Sequence, residues 1–81
     1  MVIKKEYLDE VIERLKVEIR DDLRGIEYLV GEGIYIQYYN IYKLIKVEDM
    51  EGKFFIPKDE FDYNNLNLLP EYLKSLDYFI N

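Results

Sequence analysis

Hydrophobic positions along this chain change period twice. Between residues 5 and 24, Leu8, Val11, Ile12, Leu15, Ile19 and Leu23 recur at helical spacing and form one stripe. The stripe is about 120° wide, enough to pack on a sheet, with Val17 on the charged face. Glu10–Arg14, Glu13–Lys16 and Asp21–Arg24 are spaced as helical ion pairs. Arg20 and Arg24 suit the negative end of the helix dipole, and Gly25 is placed to end the helix in a left-handed turn. No Ser, Thr, Asp or Asn precedes the helix, so its first turn is expected to fray.

From Ile26 the pattern becomes that of strands. Residues 26–30 form one strand, and Gly31-Glu32-Gly33 reads as a hairpin turn. A long segment follows, GIYIQYYNIYKLIKV, before a second turn at Glu48-Asp49-Met50-Glu51-Gly52. Residues 54–56 close the sheet, and Pro57 prevents further central pairing. The long segment changes parity: Ile34, Ile36 and Tyr38 are even-numbered, whereas Ile41, Ile45 and Val47 are odd-numbered. One inserted residue moves the alternation to the other face, so a bulge near Tyr39-Asn40 is expected, bending a single strand. The alternative is a tight Tyr39-Asn40 turn between two strands, which lacks the glycine such turns favour.

Residues 58–69 read as irregular, with a single turn around residues 59–61. Pro70 opens a last helix at the first helical position it favours. Leu69, Tyr72, Leu73, Leu76, Phe79 and Ile80 form its apolar stripe. The resulting expectation is an α+β domain spanning residues 1–81, with order α-β-β-β-α. It is a two-layer fold: a three-stranded antiparallel meander with a long, bent middle strand, and both helices on one face.

Length and composition narrow this further. At 81 residues the chain is near the lower limit for a self-sufficient core. Cys and His are absent, which removes disulfides and thiolate or imidazole metal sites as staples. Self-association remains available, and a homodimer is one expected form. The absence of Cys, of a membrane-length apolar run and of a signal-like N-terminus points to the cytoplasm of a cell or infected host. The net charge is −6, with −1 in residues 1–24 and −5 in residues 25–81. Such a domain repels nucleic-acid backbones and anionic lipid, so neither is an expected partner.

The chemical inventory is short. Ser75 is the only serine and lies in a helical pattern beside Lys74 and Asp77, with no His, Cys or Thr in the chain. Nucleophilic catalysis lacks both halves of its usual pair, so no enzyme activity and no catalytic residue are expected. Glu60, Asp62, Asn64 and Glu71 partly match the spacing of a calcium loop. The first ligand is Glu, Asn65 stands where Gly is required, and Pro57 stands where the entering helix should end. A polar loop capping the last helix explains the segment better, and no metal or cofactor is expected.

What remains is surface. Glu48, Asp49, Glu51, Asp59, Glu60 and Asp62 form an acidic cluster relieved only by Lys53 and Lys58. Four of the nine tyrosines fall between positions 35 and 42. With a bulge, Ile34, Ile36, Tyr38, Ile41, Ile45 and Val47 face the helices and Lys43 must snorkel. The opposite face then carries Tyr35, Gln37, Tyr42, Leu44 and Lys46, with Tyr39 at the bulge. Tyrosine is enriched at interfaces, so Tyr35, Tyr39, Tyr42 and Leu44 with the acidic cluster form the expected partner-binding surface. The expected partner is a protein with a basic site. The expected role is inhibition or neutralisation, as in a virus-encoded anti-defence protein. An immunity protein, an antitoxin or a homo-oligomeric subunit are the alternatives.

Overall fold

The structure is a computed structural model and describes residues 1–17, 26–39 and 41–81. Its elements are β1 (Val2–Ile3), α1 (Lys5–Lys16), β2 (Glu27–Gly31), β3 (Ile34–Tyr39), β4 (Leu44–Asp49), β5 (Gly52–Phe55), a 3-10 turn (Leu66–Leu68), α2 (Leu69–Ser75) and β6 (Phe79–Ile80). The fold is α+β, as its sequence pattern requires. Among the described residues, however, the sheet has six strands in the order β5-β4-β3-β2-β1-β6, not three.

Two of the extra strands are the chain ends. β1 pairs antiparallel with β2, and β6 runs parallel to β1. Two-residue strands carry no periodicity, so sequence alone does not reveal them. They also change the start of α1. The Lys4 amide donates to the Val30 carbonyl and the Lys5 amide to the Asn81 carbonyl. Sheet partners thus satisfy amides at the helix start, where no side chain caps it. This holds the first turn that the missing cap would leave to fray.

The long tyrosine segment is two strands. β3 ends at Tyr39, residues 41–43 form a turn, and β4 begins at Leu44, directly opposite Tyr39. Lys43 adopts a left-handed φ of 53° without the help of a glycine. The parity change therefore comes from chain reversal between two strands and not from one bent strand; Asn40 itself lies outside the described residues. Partners such as Tyr38 and Ile45, or Ile36 and Val47, have opposite parity yet point to the same side. A register irregularity does occur, but in β2, between Leu29 and Gly31.

α1 ends at Lys16; the expected residues Ile19, Leu23, Arg20, Arg24, Gly25 and the Asp21–Arg24 pair lie outside the described residues. The other two pairs form, Arg14–Glu10 at 3.5 Å and Lys16–Glu13 at 2.9 Å. α2 is shorter than its apolar stripe implied. The Tyr78 amide donates to the Leu73 carbonyl and the Asp77 amide to the Lys74 carbonyl. With Asp77 at φ 70°, this is a Schellman ending in which Asp stands where Gly is usual. Phe79 and Ile80 thereby leave the helix and enter β6.

Leu8, Val11, Ile12 and Leu15 of α1 and Leu69 and Leu73 of α2 share one buried cluster with Ile3, Val30, Ile34, Ile36, Ile45 and Val47. Full burial of each such side chain is worth about 1.5–3 kcal/mol. Phe61, from the segment read as irregular, is part of the same cluster. The sheet is curled: the Tyr78 hydroxyl, beside β6 at one end of the strand order, donates to Asp49, the last residue of β4, near the other.

Candidate functional surface

Strand register divides the sheet into two sides. Tyr28, Ile36, Val47 and Phe54 are aligned across four strands on the buried side. On the other side one row runs Leu29, Tyr35, Glu48, Lys53 and the next runs Glu27, Gln37, Lys46, Phe55. Tyr39 and Leu44 form a third pair beside them. Leu29, Tyr35 and Phe55 are exposed, at 49%, 39% and 47%. Tyr39 and Phe55 pack with ring centroids 5.6 Å apart.

Lys46 sits among these rings and is itself buried. Its ammonium hydrogen-bonds Glu48 at 3.1 Å, lies 3.9 Å from Glu27 and is 6.0 Å from the centroid of the Tyr39 ring. Burial alone lowers a lysine pKa, but the Glu48 hydrogen bond and the neighbouring groups outweigh it and raise the value. Lys46 therefore stays charged and anchors Glu48. Its residue type suggests an ordinary outward lysine; Glu27, two strands away on β2, and Tyr39, on the adjacent β3, close over it.

The candidate residues do not form one site. Tyr35, Tyr39, Leu44 and Glu48 share the aromatic side of the sheet. Tyr42 does not: it lies in the turn after β3, exposed at 62%. Ile41, expected in the core, is exposed in the same turn, and Lys43 needs no snorkelling there. Asp59 and Asp62 are exposed on the loop after β5.

Asp49, Glu51 and Glu60 meet instead in a groove of about 780 Å³. One wall is β5, from Gly52 through Phe55; the other is Tyr72 and Leu76 of α2 and the turn after it, with Tyr78. Asp77, which no sequence motif singled out, adds a fourth acid to the lining, against Lys53 as the one basic side chain among the described residues. Asp49 is committed internally. Its Oδ1 accepts the amides of Glu51 and Gly52, and its Oδ2 accepts the Tyr78 hydroxyl. The Tyr78 bond, ahead of opposing desolvation, holds the Asp49 pKa below the ordinary value. Burial and the same bond push the Tyr78 phenol well up.

Tyr63 was also missed. Its hydroxyl donates to the Ile56 carbonyl at 2.8 Å and accepts the Ile45 amide at 2.9 Å, while the Ile56 amide donates directly to the Ile45 carbonyl. The phenol thus replaces one of the two bonds of a strand pair and clamps the end of β5 to β4. No hydrophobic periodicity encodes this, because Tyr63 acts from a loop.

The groups considered for chemistry are engaged elsewhere. Glu60 accepts the Tyr72 hydroxyl, Asp62 accepts the Asn64 amide and Glu71 pairs with Lys74. Among the described residues no group of three acids is placed to hold a metal ion. Ser75 donates to the Tyr72 carbonyl within its own helix. Also among the described residues, no helix is long and apolar enough to cross a membrane. No family model matches the chain, and neither a curated protein nor a solved structure matches it.

Proposed function

We propose that this chain is a small acidic binding protein that inhibits or neutralises another macromolecule, without catalysis of its own. The observation that carries this reading is the exposed side of the sheet. Leu29, Tyr35, Tyr39, Leu44 and Phe55 surround a fixed Lys46–Glu48 pair. Aromatic anchors beside satisfied charges are the composition of a protein–protein contact. The net charge of −6 favours a partner with a basic surface, because charge complementarity speeds encounter and fixes orientation. A nucleic-acid-binding site on the partner protein has that character, as the target of an anti-defence inhibitor would. The reading places the encounter in the cytoplasm.

Affinity capture with wild-type protein and with a Leu29→Asp/Tyr35→Asp variant tests this. Leu29 and Tyr35 are exposed cross-strand partners beside Glu48, so the two aspartates repel one another; a retained helical signal on the same sample shows that the variant is folded. The wild type should retain a stoichiometric partner more weakly at high salt, and the variant should lose it. An equal yield from both proteins excludes this side of the sheet. Light scattering on the same samples separates the self-association alternative: a dimer dissociated by the variant would replace the inhibitor reading.

A further inference from the structure

We propose that the free edge of β5 docks an extended, Lys- or Arg-bearing segment of a partner protein, which joins the six-stranded sheet as an added strand. This rests on the binding-protein reading and gives it a second site, apart from the aromatic side.

The hydrogen-bond phase of β5 carries the argument. The Ile56 amide bonds the Ile45 carbonyl, which fixes residues 45 and 56 as a bonded pair. Bonded pairs alternate along an antiparallel ladder, so Phe54–Val47 and Gly52–Asp49 are bonded too. The amides and carbonyls of Lys53 and Phe55 therefore point away from β4. β5 ends the strand order, so these groups face outward among the described residues. They face the groove. Lys53, Phe54 and Phe55 all line it, although alternate side chains of a strand point to opposite sides. A cavity that touches consecutive residues in this way runs along the strand edge and not across a face.

The lining selects the occupant. Tyr72 and Leu76 across the groove, with Phe55, offer apolar contact to alternate side chains of an incoming strand. Among the described lining residues, Glu51, Glu60 and Asp77 outnumber Lys53 and favour cationic side chains at the rim. The turn at Gly52 and the ring of Pro57 bound the edge, leaving room for a short strand. A second copy of this chain is a poor occupant. Pairing two β5 edges would bring the same acids together between chains of charge −6, and Lys53 and Pro57 are residues that discourage edge self-pairing.

The test is an amide NMR titration of the full chain with a short acetylated peptide of alternating lysine and valine. Two controls accompany it: the glutamate–valine analogue, and the lysine–valine peptide N-methylated on its strand-pairing amides. The Lys53 and Phe55 amides should shift and gain exchange protection. N-methylation should weaken binding about tenfold, and Glu51→Gln with Asp77→Asn about fivefold. Lys53→Pro, which deletes one outward amide, should weaken it as well; should that variant not fold, the N-methyl contrast decides alone. Unperturbed Lys53 and Phe55 amides, equal binding of the N-methylated or the acidic peptide, or a dimer that already protects these amides in the free protein would each overturn the proposal. Shifts confined to Leu29, Tyr35 and Tyr39 would overturn the edge site and leave the aromatic-side reading standing. Loss of partner capture in the Leu29→Asp/Tyr35→Asp variant tests that reading independently.

Discussion

Replacing Tyr63 by Phe removes one oxygen atom and leaves two backbone groups without partners. The ring can stay, held edge-on against Phe61 with centroids 5.0 Å apart. The Ile45 amide loses its acceptor and the Ile56 carbonyl loses a donor. A buried polar group left unpaired costs about 1–3 kcal/mol. Tyr63 is half-buried, so water can reach part of the gap, and a total near 2 kcal/mol is expected. With a urea slope of about 1 kcal/mol/M for so small a domain, the unfolding midpoint should fall by about 2 M. The Ile45 amide should also lose hydrogen-exchange protection. Tyr72→Phe is the internal control. Its hydroxyl meets Glu60 at an exposed site and should cost less than about 0.5 kcal/mol. If Tyr63→Phe is as mild as Tyr72→Phe and Ile45 stays protected, the clamp between β4 and β5 is not what the geometry indicates.

Other perturbations probe the remaining joints. Tyr78→Phe should destabilise by about 1–2 kcal/mol at neutral pH, a range reduced for partial solvent access. Asp49 titrates below its ordinary value in the fold, so its contribution holds above that value and fades as pH falls through it. Tyr78 titrates above its ordinary value, so its contribution holds up to about pH 10 and fades beyond; the gap between wild type and variant, followed by urea unfolding, should narrow at both extremes. Gly31→Ala would drive a Cβ into the Val2 carbonyl, prising β1 and with it β6 from the sheet. Its cost should be about 1–3 kcal/mol by calorimetry, with lost protection at Phe79 and Asn81. Leu73→Ala empties a fully buried position and should cost about 2–5 kcal/mol. Tyr42→Ser, in the exposed turn, should stay within about 0.5 kcal/mol of wild type.

Those expectations show which parts of the molecule its sequence encodes locally. Leu8, Val11, Ile12 and Leu15 were legible as a helical face because burial of a helix imposes its period on the chain. Ile34, Ile36, Ile45 and Val47 were legible as a sheet face for the same reason. The parity change was legible too, but its cause was not. A bulge and a hairpin turn both reverse parity, and the turn here rests on a left-handed Lys43 rather than on glycine. Asp77 hid the end of α2 in the same way, so Phe79 and Ile80 were read as helical.

The candidate surface was split for a related reason. Sequence neighbours such as Glu48 and Asp49 alternate across a strand, so one joins Lys46 on the aromatic side while the other ties down Tyr78. Leu29, Phe55 and Asp77 joined the two surfaces through long-range pairing and packing, which no local pattern reports. Lys46 was the reverse case: its residue type argued for solvent, and its neighbours across the strands, Glu27 and Tyr39, supplied the charge and the ring that let it be buried.

The proposed contact surface for another protein is the side of the sheet bearing Leu29, Tyr35, Tyr39, Leu44 and Phe55. Hydrogen exchange of the full chain tests it, alone and with the protein recovered by affinity capture. Protection gained on binding should map to β2, β3, β4 and β5, and Leu29→Asp/Tyr35→Asp should abolish it. Protection that falls only on α1, with the variant binding as well as wild type, would contradict it.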